Sequence, residues 1–364
     1  MNITRTSRIA GFAAIIAVSS LTLSACAANE GGTSEPTSTL AGSLVGAGAS
    51  SQGSAQEAWI AAFQTSNPGV TITYDPSGSG AGRETFIAGG SDFAGTDSYL
   101  NDDELAGTFA ACAAGTTPFE VPAYISPIAV IFNVDGVSEL NLDASTIAKI
   151  FNGSITNWND AAIVALNPDA TLPDLAITPV HRSDDSGTTK NFSDYLFQNA
   201  DADWVIEKPS DTFPFESGEG AKGTSGVVDA VTNGVGTIGY ADASKAGALS
   251  IAKLKVGDEF VAFTPEAAAA VVAGSKPVDG RSATDMAVKL NRKTTNPAEY
   301  PLVLVSYLVG CNEYAKAGVA ENVKAYIGYI LSPEGQAEAA AQAGSAPLAA
   351  MMAEEALAIV NAIK

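Results

Sequence analysis

The chain has 364 residues, with 19 Lys and Arg against 40 Asp and Glu for a formal charge of −21, and 46% of its residues are hydrophobic. That length suits two domains with sizeable cores, and the acidic balance argues against nucleic acid, whose binding rests on Lys and Arg neutralising phosphates. It leaves a small anion open, because a dry site of local dipoles can override a screened global field.

Residues 1–25 read as an export signal. Arg5 and Arg8 precede an apolar run from Ile9 to Val18, and Leu23-Ser24-Ala25-Cys26 then sets small residues before a cysteine. The run is too short and too soon interrupted for a transmembrane helix. Leu-Ser-Ala-Cys resembles the lipobox of bacterial lipoproteins, a family cleaved before the cysteine and lipidated on it, which implies a lipid on Cys26; a plain secretory signal with an incidental cysteine is the alternative. Residues 26–41 are rich in Ser, Thr, Gly and Glu and read as a flexible tether. Without residues 1–25 the chain keeps 17 basic side chains against 40 acidic ones, a charge of −23. No later segment is apolar for long enough to span a bilayer.

The rest alternates strand and helix patterns. Leu44-Val45-Gly46 ends a strand and Ser51 to Gln64 is a helix with Trp59, Ile60 and Phe63 apolar. Val70 to Tyr74 alternates as a strand, Gly82 to Ala88 is a short helix, and Phe93 to Thr96 a short strand. Ile125 to Phe132 is a strand and Asp143 to Phe151 a helix. Leu175 to Val180 is strand-like and leads through His181 and Arg182 to a helix over Thr189 to Phe197. Val227 to Thr232 is a helix closed by Asn233-Gly234, with Ile238 and Tyr240 in the strand after it. Leu302 to Leu308 is a buried strand, and Ala320 to Leu331 and Met351 to Ile363 are closing helices. Such alternation implies an α/β sheet with helices on its faces. Cys112 and Cys311 remain once Cys26 is assigned to lipid; in an oxidising compartment they pair as a disulfide, with two buried thiols as the alternative.

Three turns share one design. Gly46-Ala47-Gly48-Ala49-Ser50-Ser51, Ser77-Gly78-Ser79-Gly80-Ala81-Gly82 and Arg182-Ser183-Asp184-Asp185-Ser186-Gly187-Thr188 each carry hydroxyls between a strand and a helix. Free backbone N–H groups and the positive end of a helix dipole converge there on an anion. Three such turns around one point suit a tetrahedral oxyanion; three turns facing different ways would bind nothing. Gly234-Val235-Gly236-Thr237-Ile238-Gly239 spells G-x-G-x-x-G, but it follows a helix and enters a strand, the reverse of the dinucleotide-binding order. His181 is the single histidine. The cysteines lack zinc spacing, and Asp102-Asp103-Glu104 and Asp184-Asp185 lack the EF-hand pattern. No metal and no cofactor is expected.

These pieces resemble the periplasmic phosphate-binding protein of the bacterial high-affinity phosphate ABC transporter, from about Leu44 to Ala243 and more loosely beyond. Val45-Gly46-Ala47-Gly48-Ala49-Ser50, Gly78-Ser79-Gly80, Asp92-Phe93-Ala94-Gly95-Thr96-Asp97 and Arg182 to Thr188 carry the likeness, with Ile150 to Asp160 as a structural stretch of the family. The resemblance implies a type 2 periplasmic-binding fold, two α/β lobes with a hinge of two crossover strands. Lobe I would take 42–125 and 300–364, lobe II 126–299, with crossings near Tyr124–Ser126 and Tyr300–Leu302. It implies phosphate ligands at Ser50, Ser79, Asp97, Arg182, Ser186, Gly187 and Thr188, and at Ser51 through its backbone N–H where the family often has Phe. Asp184 would pair with Arg182 and temper its charge; His181 stands where the family varies.

The function this implies is high-affinity binding of inorganic phosphate between the lobes and delivery to ABC permease subunits, without catalysis. The protein would be an exported monomer, lipid-anchored at the extracytoplasmic face and touching the membrane through that anchor alone. The competing readings are a binding protein for sulfate or molybdate and a phosphate-ester hydrolase.

Overall fold

The structure, a computed structural model, describes residues 38–364. The expected signal over 1–25, the lipidation site Cys26 and the tether up to residue 37 lie outside the described residues. Within them the strand Gly42–Gly48 lies between Val70–Asp75 and Phe93–Thr96, all three parallel. Parallel neighbours need a crossover connection, and helices supply the first two. Gly53–Ser66 returns the chain to Val70, and Ser79–Ile87 returns it to Phe93. Trp59 and Phe63 dock the first of these helices, edge-on to Tyr124 and Tyr326 respectively.

The sheet is then carried across the molecule by one long strand, Pro118–Asn133, buried along nearly its whole length. Its first part, Pro118–Pro127, pairs antiparallel with Val303–Cys311, which in turn pairs with Phe93–Thr96. Its second part, Ile128–Asn133, pairs antiparallel with Thr237–Asp242. Beyond that, Thr237–Asp242, Thr178–Arg182 and Glu219–Ala221 run parallel to one another. With Ser250–Ile251 added to the long strand, nine strands among the described residues form this mixed sheet. The change of partner falls at Pro127–Ile128, next to the expected crossing at Tyr124–Ser126. Pro122 lies opposite Tyr307, where the register slips between Ser306 and Tyr307. Proline donates nothing to a ladder, so it settles where the ladder is already irregular.

Cys112 and Cys311 are bonded, with 5.2 Å between their Cα atoms. The bridge ties the chain ahead of the long strand to the far end of that strand's partner. Elements run longer than their sequence signals. The helix expected from Thr189 starts at Gly187 and ends at Asn199, and the one expected from Val227 spans Gly223–Asn233. The strand expected over Leu175–Val180 is shifted to Thr178–Arg182, which puts Arg182 at its last position. Gly234 to Gly236 is a turn that enters the strand Thr237–Asp242, as its order in the chain implied. No described helix is long and apolar enough to cross a membrane.

Candidate functional site

The three glycine-hydroxyl turns meet. The Gly78 N–H donates to the Gly48 carbonyl at 2.8 Å, and the Gly80 N–H donates to the Asp185 carbonyl at 3.0 Å. The approach is too close for side chains: a Cβ on Gly82 would lie 2.2 Å from the Gly48 Cα. Absence of a side chain at this position is what lets the first two turns touch.

Asp97 occupies the meeting point, one residue past the strand Phe93–Thr96 and 3% exposed. Its Oδ1 accepts the hydroxyls of Ser51 and Ser306, each at 2.6 Å, and its Oδ2 accepts the Thr188 hydroxyl at 2.9 Å. Its backbone N–H donates to Ser79 Oγ at 3.1 Å, and its carbonyl accepts the Asn191 amide at 2.7 Å. Burial pushes the carboxyl pKa up, against the hydroxyls of Ser306, Ser51 and Thr188 and the charge of Arg182, which hold it down. A carboxylate offers about four acceptor positions, and these hydroxyls fill three, leaving one on Oδ2.

The helix Gly187–Asn199 begins against this carboxylate. Ser186 caps it, accepting the Thr189 N–H at 3.2 Å, so the N–H groups of Gly187 and Thr188 have no partner within their own helix. Arg182 comes from the strand end just before. Its guanidinium forks onto both Asp184 oxygens, with the Nε–Oδ1 bond at 2.8 Å, and Asp184 Oδ1 also accepts the Gly223 N–H at 2.9 Å. Burial works against the Asp184 charge, but the Arg182 guanidinium outweighs it and holds the carboxyl below its usual range. A paired arginine of this kind is a tempered cation, so the site leans on dipoles and hydroxyls more than on net charge.

Ser51, Ser79, Asp97, Gly187 and Thr188 are therefore brought together, with Ser186 and Arg182 behind them. Two of the expected residues make further contacts. Ser51, expected to act through its backbone N–H, also gives its hydroxyl to Asp97. The Ser50 hydroxyl lies 2.9 Å from Thr224 Oγ1 and accepts the Thr224 N–H at 3.0 Å. His181 stacks on Phe213 with ring centres 3.9 Å apart.

Sequence reasoning missed Ser306, Asn191 and Thr224. Ser306 had a signal, as the one small polar residue inside the apolar run Leu302 to Leu308. Thr224 had a better one: Gly220-Ala221-Lys222-Gly223-Thr224-Ser225 is a fourth glycine-hydroxyl turn between a strand and a helix. Asn191 had none, since one polar residue on an amphipathic helix is ordinary. Chemically, this is a buried cluster of hydroxyls wrapped around one carboxylate, which can accept one further hydrogen bond.

The chain matches a family model described as a PBP superfamily domain over residues 33–334. It is 35% identical to the phosphate-binding protein PstS2 of Mycobacterium bovis BCG over 361 residues, covering 96% of this chain and 97% of that protein. It is 37% identical to the phosphate-binding protein PstS 3 of Mycobacterium leprae, covering 78% of this chain and 77% of that one. In fold it resembles a periplasmic phosphate-binding protein, PfluDING, solved with phosphate bound, at a TM-score of 0.70 and 19% identity, over 87% of this chain and 93% of that one.

Proposed function

The chain belongs to the PBP superfamily and, within it, to the PstS phosphate-binding proteins, and we propose from that membership that the pocket around Asp97 binds inorganic phosphate for an ABC phosphate permease. Its fold is the type 2 periplasmic-binding fold. One observation carries the ligand assignment beyond membership: a buried carboxylate with three hydroxyl donors and one spare acceptor position, set against an open helix N-terminus. A carboxylate in an anion site repels a fully deprotonated ligand and welcomes one that brings a P–OH.

We assign Ser50, Ser51, Ser79 and Asp97 to one lobe, 42–125 with 300–364, and Arg182, Ser186, Gly187 and Thr188 to the other, 126–299. Closure then needs both halves of the site, which couples binding to shape. Native mass spectrometry of the purified protein tests the assignment. The expected mass exceeds the chain by one phosphate, lost on denaturation; a protein that neither carries nor takes up phosphate would overturn it.

Arg182→Ala should weaken phosphate binding by about 1.5–3 kcal/mol, the range for a hydrogen bond to a charged group. Part of that loss would come from Asp184, which keeps a charge beside the ligand once its partner is gone. Adding Asp184→Asn should therefore recover some affinity in calorimetry. An unaltered constant for Arg182→Ala removes the residue from the site.

The protein acts as a binding protein, not a catalyst, in this reading, and reaches the membrane through a lipid on Cys26 after removal of residues 1–25. The supporting features are the basic start, the apolar run and Leu23-Ser24-Ala25-Cys26. Cys26→Ser should move the protein from membranes to soluble fractions, and unchanged membrane partitioning would count against the anchor.

A further inference from the structure

Beside the phosphate pocket lies a second contact between the two sides of the cleft, built on a cation that the ligand site does not use. Arg83 sits one turn past Ser79 on the helix Ser79–Ile87 and is 6% exposed. Its Nε donates to Glu104 Oε1 at 2.8 Å, and its Nη1 donates to Thr96 Oγ1 at 3.1 Å and Ser98 Oγ at 2.8 Å. All of these partners follow closely in the chain and stay with Arg83 whatever the cleft does. Its Nη2 reaches across instead, to Asp211 Oδ2 at 2.7 Å, while the Ser98 hydroxyl donates to Asp211 Oδ1 at 2.8 Å. Burial disfavours the guanidinium charge, but the carboxylates of Asp211 and Glu104 outweigh it and raise the arginine pKa.

Asp211 is also joined to the anion-binding turn. Its carbonyl accepts the Ser186 N–H at 2.9 Å, at the cap of the helix Gly187–Asn199. Next to it the Thr212 hydroxyl donates to Asp185 Oδ1 at 2.7 Å, and two residues on, Phe213 stacks on His181 beside Arg182. The loop that carries Asp211 is thus fixed to the same turn that supplies Ser186, Gly187 and Thr188. Movement of that turn away from Asp97 must carry Asp211 away from Arg83.

We propose that the Arg83–Asp211 ion pair, backed by Ser98, is a latch that holds the cleft shut and sets how long phosphate stays bound. This rests on the reading of the pocket as a phosphate site between two lobes. Neither Arg83 nor Asp211 belongs to the anion's own donors; both are positioning residues acting through the turn at Ser186. On opening, Arg83 keeps Glu104, Thr96 and Ser98, so the guanidinium is never left buried without a counter-charge. Asp211, 13% exposed in its side chain, returns to water. The pair therefore adds to the closed arrangement without burdening the open one.

The test compares wild type with Asp211→Asn and Ser98→Ala by stopped-flow phosphate binding and release, with small-angle scattering of the ligand-free and phosphate-saturated proteins. Asp211→Asn keeps the carbonyl that holds Ser186 and removes the charge. Its release rate should rise about 10- to 100-fold, the equivalent of a lost hydrogen bond to a charged group. Its association rate should move far less, as interface changes act mainly on dissociation. Ser98→Ala should shift release the same way by a smaller factor. Release at the wild-type rate in both variants overturns the latch, as does a loss confined to association. Failure of wild type to bind phosphate would instead sink the assignment of the pocket. The latch would then stand or fall on scattering alone, where Asp211→Asn must show a larger radius of gyration than wild type.

Discussion

Asp97→Asn is expected to collapse the preference for phosphate over sulfate, by up to about 10⁴-fold where a site is built round one buried hydrogen bond. Phosphate near neutral pH is a mixture of mono- and dibasic forms, and each keeps a P–OH. Sulfate has no such proton. Ser51 and Ser306 both donate to Oδ1 and Thr188 to Oδ2, so the carboxylate's remaining acceptor position is on Oδ2, on the side where the helix Gly187–Asn199 begins. A P–OH donated there turns a like-charge repulsion into a charge-assisted hydrogen bond. A sulfate oxygen would meet the same lone pair with one of its own, in a place without water to separate them.

An asparagine at 97 keeps the shape and changes the signs. Its Oδ1 still accepts from Ser51 and Ser306, while its amide nitrogen takes the Oδ2 place and the Thr188 hydroxyl turns to accept. The amide then donates to an unprotonated oxyanion. Sulfate binding should appear or strengthen, and phosphate should lose its advantage. The measurement is the pair of dissociation constants for each protein at one pH. An unchanged ratio would mean that the hydroxyls and helix N–H groups discriminate by themselves, and that Asp97 only organises them.

The sequence made the site more legible than the sheet that carries it. Each glycine-hydroxyl turn is local chemistry: a strand ends, a residue without Cβ allows a close approach, a hydroxyl caps the next helix. Such signals survive without knowledge of the fold, which is why Ser79, Gly187 and Thr188 stand out in their turns; Asp97 lies outside those turns and was implied only by the family resemblance. The long strand Pro118–Asn133 was only half visible, because Glu120 and Pro122 break its first half, and only the sheet explains them. The helices Pro265–Ala273 and Pro333–Ala343 were passed over because their alanine-rich sequences have little apolar periodicity. Their starts were nonetheless written plainly: Thr264-Pro265-Glu266 and Ser332-Pro333-Glu334 each set a hydroxyl cap before a proline in the first turn. The Arg83–Asp211 pair lay beyond reach, since the two residues stand 128 apart in the chain and neither has a distinctive context.

Gly187→Ala is expected to separate binding from folding. The Gly187 backbone is ordinary helix, so the glycine is not there for its dihedral freedom. Alanine is a good helix former, so the helix itself should tolerate it at this first position. What the position cannot hold is a methyl group. A Cβ there would stand 2.7 Å from Asp97 Cβ, 2.7 Å from Ser79 Oγ and 2.7 Å from the Ser98 backbone nitrogen. Two of those three neighbours are fixed by the strand end that carries Asp97, so little can yield. The turn at Ser186 must back away, which withdraws the Gly187 and Thr188 N–H groups and the Thr188 hydroxyl from Asp97. Overpacking of this kind costs about 1–3 kcal/mol and occasionally more. With two rigid neighbours the upper end applies, so phosphate affinity should fall by about a hundredfold or more. The melting temperature of the phosphate-free protein should hold or rise. Calorimetric titration and thermal unfolding on the same preparation give both numbers. Wild-type affinity in Gly187→Ala would show that the two sides need not approach this closely to hold the anion. The stitching of Gly80 to Asp185 and of Thr188 to Asp97 would then be a packing feature without a part in binding.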